Sequence, residues 1–464
     1  MSTTTRRRTL TGTALVATAV LALTACGSGT QVNDASDGLL MWTLEVQPDR
    51  LETQQAVLDD FTAATGIEVE LVPVEEDQVA QLMAAAALSN ELPDVISAAT
   101  LGLVRSFDGE DYVSTDIAAD VVSDLGTETW TDASLALTSD GDRQLAVPSD
   151  AWAQILVYRT DLFDEADLEA PTTYESLLTA AETLTGNGQF GITLATDPTG
   201  NFTQQTFESI ALGNNCQVVD DTGDITLDSA ECAAAVELYT ALANDYSPAG
   251  TQTVESTRAS YFAGQSAMIM WSTFLLDELA GLRNDAAPSC DECTTSTYLA
   301  ENSAIVPLVT GPDAGDAAGS YGEITSFVAT SAASPDETTQ LIEYMMSDGY
   351  VQWLSMAPEG KFPARLGSAD NGTEYADAWA SLETGVDTRA PLGDIYDTDT
   401  ITTLSGIASN ISRWALTQGQ GSLVGPMTAE LPLAKIIADA ATGSIDAPTA
   451  QQEMVDAVTE IANR

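Results

Sequence analysis

The chain has 464 residues, 44% of them hydrophobic, with 70 Asp and Glu against 15 Lys and Arg and no histidine, so its formal net charge is −55. Such an excess repels nucleic acid and disfavours polybasic attachment to an anionic membrane, and the missing histidines exclude Ser-His-Asp triads, imidazole metal sites and histidine bases. The apolar fraction is that of a folded chain rather than a disordered one, and the length suits two or three domains.

In chain order, the first segment reads as a leader. Arg6, Arg7 and Arg8 precede an apolar run from Ala14 to Leu23, followed by small residues. That layout is a signal peptide over residues 1–25, and the run is shorter than the roughly 20 residues a membrane-spanning helix needs. Leu23-Thr24-Ala25-Cys26 resembles a bacterial lipobox, which implies lipid on Cys26; a plain secretory signal with an incidental cysteine is the alternative. Arg7-Arg8 suits twin-arginine export and Thr9-Leu10-Thr11 suits it poorly, so both export routes stay open. Residues 26–37 read as the lipidated cysteine and a flexible tether. The expected location is the extracellular face of the cytoplasmic membrane, held by lipid.

Leu39–Trp42 is of strand type. Asp49 and Glu52 have capping-box spacing, Leu51, Val57, Leu58 and Phe61 recur at helical spacing, and Gly66 ends the helix. Ile67, Val69 and Leu71 alternate with Glu68 and Glu70, a strand. Strand, helix and strand in this order make a βαβ unit, so a parallel sheet is expected. The pattern continues with helices at 78–88, 174–184, 233–243, 336–346 and 451–461. Strands are expected at 94–97, 154–158, 191–194 and 267–271. No short-period repeat interrupts them, and an α/β chain of this length requires two lobes.

Cys216, Cys232, Cys290 and Cys293 form an even set, which in an oxidising exterior suggests disulfides. Cys216–Cys232 and Cys290–Cys293 is the preferred pairing, since each pair brackets a short polar segment. A four-thiolate zinc site is the rival, although only one CxxC is present. No imidazole metal site and no cofactor are expected, and a carboxylate site for calcium stays open.

Four groups of residues together resemble the carbohydrate-binding family of extracellular solute-binding proteins of ABC importers, which includes maltose-binding protein. They are Phe61-x-x-x-Thr65-Gly66-Ile67-x-Val69 with Pro93-Asp94-Val95; Ala146-Val147-Pro148-Ser149-Asp150-Ala151-Trp152 running into Leu156-Val157-Tyr158-Arg159-Thr160-Asp161-Leu162-Phe163; Tyr261-x-x-Gly264-x-x-Ala267-Met268; and Gly360-Lys361-Phe362-Pro363-Ala364-Arg365. The resemblance implies a two-lobed periplasmic-binding-protein-like α/β fold of type II, with the ligand in a cleft between lobes joined by crossing segments. The crossings map near 145–148, 320–323 and 362–365. Lobe 1 is then 38–145 with 322–363, and lobe 2 is 146–321 with 364–464. The implied partners are a sugar and the permease subunits of the importer, with the receptor itself a monomer.

A sugar site pairs aromatic platforms with carboxylates, amides and arginine, at the carboxyl ends of strands. Trp42 and Glu45 stand at the end of the first strand, and Ser97 at the end of another. Asp150 and Trp152 match the family's cleft-facing stretch. Asn201 follows the expected strand at 191–194, Trp271 and Ser272 end the strand at 267–271, and Tyr321 and Glu323 flank the second crossing. Arg365 ends the third crossing, and Trp379 lies on a later helix. The family often carries Trp six residues after the Ala-Met methionine, where this chain has Phe274, so either Trp271 or Phe274 could face the cleft. Trp130, Trp353 and Trp414 are assigned to packing. The leading expectation is a non-catalytic sugar receptor. A polyamine receptor on the same fold and a glycan hydrolase using paired carboxylates are the alternatives.

Overall fold

Local sequence explains the first elements. The computed structural model describes residues 38–315 and 318–464; the signal peptide, Cys26 and the tether expected from the sequence lie outside the described residues. After strand β1 (Leu39–Thr43), a helix runs Pro48–Thr65 with proline in its first turn. Its N-cap is Gln47 with no side-chain cap, so the expected capping box is not formed; Asp49 instead sits in the first turn, where a negative charge suits the helix dipole. Gly66 closes the helix with φ 80°, as its position suggested. Strand β2 (Val69–Pro73) follows, then β3 (Val95–Ala99), and both pair with β1 in parallel.

The sheet does not stay parallel. After the hairpin β4 (Ser139–Asp140) and β5 (Arg143–Gln144) comes a strand of 13 residues, β6 (Val147–Arg159). Strands β7 (Met268–Ser272), β8 (Ser303–Val306), β9 (Ser320–Ala329) and β10 (Phe362–Pro363) follow it. The first three pair antiparallel with β6, as does β10, and β9 also pairs antiparallel with β3. Small strands β11 (Glu383–Thr384) and β12 (Ala390–Pro391) form a separate hairpin, and β13 (Ile411–Ser412) joins β9 in parallel. The expected parallel sheet is therefore a mixed one, because only the first βαβ units bring a crossover helix between neighbouring strands. The segment 191–194 is not a strand: it runs beside β7 through isolated bridges, Phe190 to Ser266 and Thr193 to Ile269. Between them the Ile192 amide turns away to the carbonyl of Tyr246 at 3.1 Å.

Strands β6 and β9 belong to both halves of the molecule. Residues 147–153 of β6 pair with β9, whereas 154–159 pair with β7 and β8. One half of the interior gathers Met41, Phe61, Val95, Val147, Phe327, Leu341 and Trp353 and reaches Ala364 and Tyr375; an adjoining cluster holds Val79, Ile96, Phe107 and Val328. The other gathers Ile155, Leu177, Phe207, Tyr239, Ile269, Ile324, Trp379, Trp414 and the last helix, Ala447–Ala462. Disulfides Cys216–Cys232 and Cys290–Cys293 join the expected partners. Among the described residues no helix is long and apolar enough to cross a membrane, and no group of three or more Cys, Asp or Glu could hold a metal ion.

Candidate functional site

Alternation along β6 and β9 assembles one face of side chains. A bulge lies between Pro148 and Asp150, beyond which Ala151, Ala153 and Ile155 turn into the apolar interior. Asp150 and Trp152 take the opposite side, where Trp152 pairs in register with Glu323 of β9 and Asp150 with Thr325. Tyr321, two residues from Glu323, joins them: its ring lies 5.8 Å from that of Trp152. Phe274 lies 6.3 Å from Trp152 on another side. Its ring rests on the backbone of Gly360, where a Cβ would meet ring carbons at 2.0 Å, so only glycine fits. Ser272, adjoining on β7, is buried and pairs in register with Gln154.

Charge is concentrated at this face. Lys361, one of two lysines in the chain, is buried and bridges Glu45 at 2.5 Å and Asp150 at 3.2 Å, with its ammonium 4.7 Å from the centre of the Trp353 ring. Trp353 Nε1 and Ser149 Oγ both donate to Asp150 Oδ2, at 2.7 Å each. Arg50 holds the other oxygen of Glu45 at 2.5 Å. Burial alone would raise the Glu45 carboxyl, but the charges of Lys361 and Arg50 outweigh it and hold the group at about 2. Beside Tyr321, buried Arg413 lies 4.4 Å over the ring and bridges Glu323 at 2.7 Å and Glu208 at 3.3 Å. Glu323 also accepts from the Leu101 amide at 2.6 Å, at the start of the helix Leu101–Gly109. Burial raises Glu208 despite Arg413. Glu76 opens the helix Glu76–Ser89; burial raises its carboxyl, and the nearby charges of Glu323 and Glu45 raise it further.

A second set of buried carboxylates lies on the far side of Phe274. Asp277 is 0% exposed with neither oxygen hydrogen-bonded, and burial, then the charges of Glu359 and Glu278, push it up to about 8. Glu278 is pushed up to about 7 by burial although Arg258 lies 2.5 Å away, and Glu359 accepts from the Thr384 hydroxyl.

Six of the twelve residues expected from the sequence thus come together: Glu45, Asp150, Trp152, Ser272, Tyr321 and Glu323. The others do not join them. Trp42 is half-buried against the Val79–Phe107 cluster, and Ser97 is enclosed, its hydroxyl 3.5 Å from the Trp42 carbonyl. Asn201 is exposed on the first turn of the helix Asn201–Gly213. Trp271 points to the opposite face of β7 from Ser272, stacks with Phe202 at 5.6 Å and donates to the Val254 carbonyl, so of the two aromatics it is Phe274 that adjoins Trp152. Arg365 spends its donors on Thr129, the carbonyls of Met346 and Leu125, and Tyr375, and stacks between Trp130 and Tyr375. Trp379 is wholly buried, donates to the Pro358 carbonyl at 2.9 Å and packs on Phe362. Sequence reasoning missed Lys361, Arg413, Glu208 and Glu76 as parts of the assembly. Its place in the segment 360–365 at the third crossing, and the scarcity of lysine, are the signals that could have marked Lys361. A hollow of about 680 Å³ lined by Thr173, Leu178, Leu238 and Thr310 lies elsewhere and contains none of these residues.

Residues 47–352, well over half of the chain, match the profile of the bacterial extracellular solute-binding proteins. The chain belongs to this family. A relative from Escherichia coli K12, YcjN, bears the name of an ABC transporter periplasmic-binding protein and is 28% identical over 325 residues, 67% of this chain and 70% of that one. Among solved structures, T. maritima MalE3 with maltose bound superposes at TM-score 0.65 and 17% identity, covering 91% of this chain and 99% of that one. A binding protein for cyclic α-maltosyl-1,6-maltose from Arthrobacter globiformis gives 0.67 at 16% identity, over 92% and 99%. A cyclo/maltodextrin-binding protein complexed with maltotetraose gives 0.67 at 13%, over 93% and 98%. These superpositions establish the two-lobed fold, and the family is one of extracellular solute-binding proteins.

Proposed function

We propose that the protein is a carbohydrate receptor that binds a neutral mono- or oligosaccharide at the Trp152–Tyr321–Phe274 face and delivers it to an ABC importer without chemical change. The observation that carries this reading is the aromatic group set among carboxylates that already have cationic partners. Glu45 and Asp150 are matched by Lys361 and Arg50, and Glu323 and Glu208 by Arg413. Carboxylates held in this way are fixed as acceptors for sugar hydroxyls beside the aromatic rings. The solved relatives named for maltose, maltotetraose and cyclic maltosides favour the same class of ligand.

In this reading the lobes are 38–145 with 322–363 and 146–321 with 364–464, and they close about β6 and β9. The two interiors meet at those strands and follow the division in the main, with Ala364 and Tyr375 packed in the first and Ile324 and Phe362 in the second. The receptor acts as a monomer tethered through a lipid on Cys26. Titration calorimetry against a panel of mono- and oligosaccharides should give a Kd of about 1 μM for one or a few of them, near −8 kcal/mol. Trp152→Ala should weaken the tightest by tenfold or more. Binding of spermidine with no response to any sugar would overturn the reading, and release of new reducing ends from the bound glycan would turn it toward hydrolysis.

A further inference from the structure

The face that carries Asp150 and Trp152 has one more member on β6. Gln154 follows Trp152 by two residues, so it projects to the same side, while Ala153 and Ile155 turn away. It stands where β6 leaves β9 and takes up β7: Ala153 pairs with Gly322, and Gln154 pairs with Ser272. Its side chain is 0% exposed, and neither Oε1 nor Nε2 has a hydrogen-bond partner. The backbone there is satisfied, since its carbonyl accepts from Ser320 Oγ at 3.0 Å. A wholly unpaired buried amide is costly, and such groups pair with water or a ligand in nearly every folded protein. Apolar residues of the same shape would serve packing better, as Leu156 does next along the same side.

We propose that Gln154 is a specificity-determining residue at the deep end of the site, where its amide accepts from one sugar hydroxyl and donates to the neighbouring one, with Ser272 beside it. The inference rests on the carbohydrate reading above. An amide supplies donor and acceptor side by side, which matches a vicinal diol and neither a polyamine nor an isolated hydroxyl. Because Gln154 is enclosed in the structure, the sugar reaches it as the lobes open and reclose. A site built to pair a hydroxyl discriminates strongly against an analogue that lacks it, since the buried group is then left unpaired.

The test uses the mature receptor and its Gln154→Leu variant, titrated with glucose, maltose and maltotetraose and with singly deoxygenated analogues of whichever binds most tightly. The expected result is an unchanged or raised melting temperature without ligand and at least a tenfold loss of affinity. One deoxy analogue should bind the variant as well as the parent sugar does, while it binds the wild type at least tenfold more weakly than the parent. Should Gln154→Leu fail to fold, Gln154→Glu keeps the shape and acceptor while losing the donors, and the same loss is expected. Equal sugar affinity in wild type and variant overturns the inference and assigns the amide to a buried water. Absence of sugar binding by the wild type overturns the underlying reading, and this one with it.

Discussion

Two groups of buried carboxylates flank Phe274 and are managed in opposite ways. Around Lys361, a buried ammonium, a guanidinium and an indole N–H partner Glu45 and Asp150 in place of water, and the two cations hold the Glu45 carboxyl at about 2. At Asp277, neither oxygen has a hydrogen-bond partner, and burial with the charges of Glu359 and Glu278 outweighs nearby Arg283, so proton uptake takes the place of an ion pair. The contrast teaches that burial alone does not decide ionisation; the supply of partners does. In a chain with 15 basic residues for 70 acids, that supply is short, and three of the 15, Lys361, Arg50 and Arg413, stand at the candidate site.

The contrast can be broken most directly at Lys361. Lys361→Met should cost about 3–5 kcal/mol of stability at pH 7, measured by urea denaturation, because it removes the cation from buried Asp150 and one of the two from Glu45. A cost below about 1 kcal/mol would show that Glu45 and Asp150 need no cation. Asp277 sharpens the other half. Its pKa is raised on folding, so the native state binds the extra proton, and the group's stabilisation is complete below about 4 and lost as pH rises towards 8. Asp277→Asn should therefore flatten the fall in unfolding free energy between pH 5 and pH 9, followed by urea denaturation, by an amount on the order of 4 kcal/mol. Identical slopes in variant and wild type would mean that Asp277 is paired. The smallest effect is expected at the other lysine: Lys435 and Asp439 lie 3.0 Å apart but are largely exposed, and Lys435→Ala should cost no more than about 0.5 kcal/mol in the same denaturation assay.

The legible parts of the chain were those where one local rule suffices. Gly66 marked a helix end, alternation marked β2, and the helix Tyr174–Leu184 was bounded as expected, its capping box made by Thr173 and Ser176. The stretch 191–194 misled because an apolar run beside a strand need not complete a ladder. Residues 366–430, built of short helices and two-residue strands, offer no periodicity to read. Within the site, Asp150, Trp152, Tyr321 and Glu323 could be proposed because they flank recognisable crossings. Arg365 and Trp379 were drawn in by chemistry that the interior uses for itself, a clasp of carbonyls in one case and an indole seat in the other. Arg413 and Glu208 meet from opposite ends of the second half, and no sequence pattern predicts that encounter.

The membership of β6 and β9 in both halves carries a consequence for how the receptor comes apart. Neither interior can melt without unzipping strands that the other requires, since β6 is laddered to β10 and β9 along its first part and to β7 and β8 along its second. A two-lobed chain of this kind should therefore unfold in a single calorimetric transition, with no stage at which one lobe stands alone. Outside the cell the chain is then either wholly native or wholly open to proteolysis.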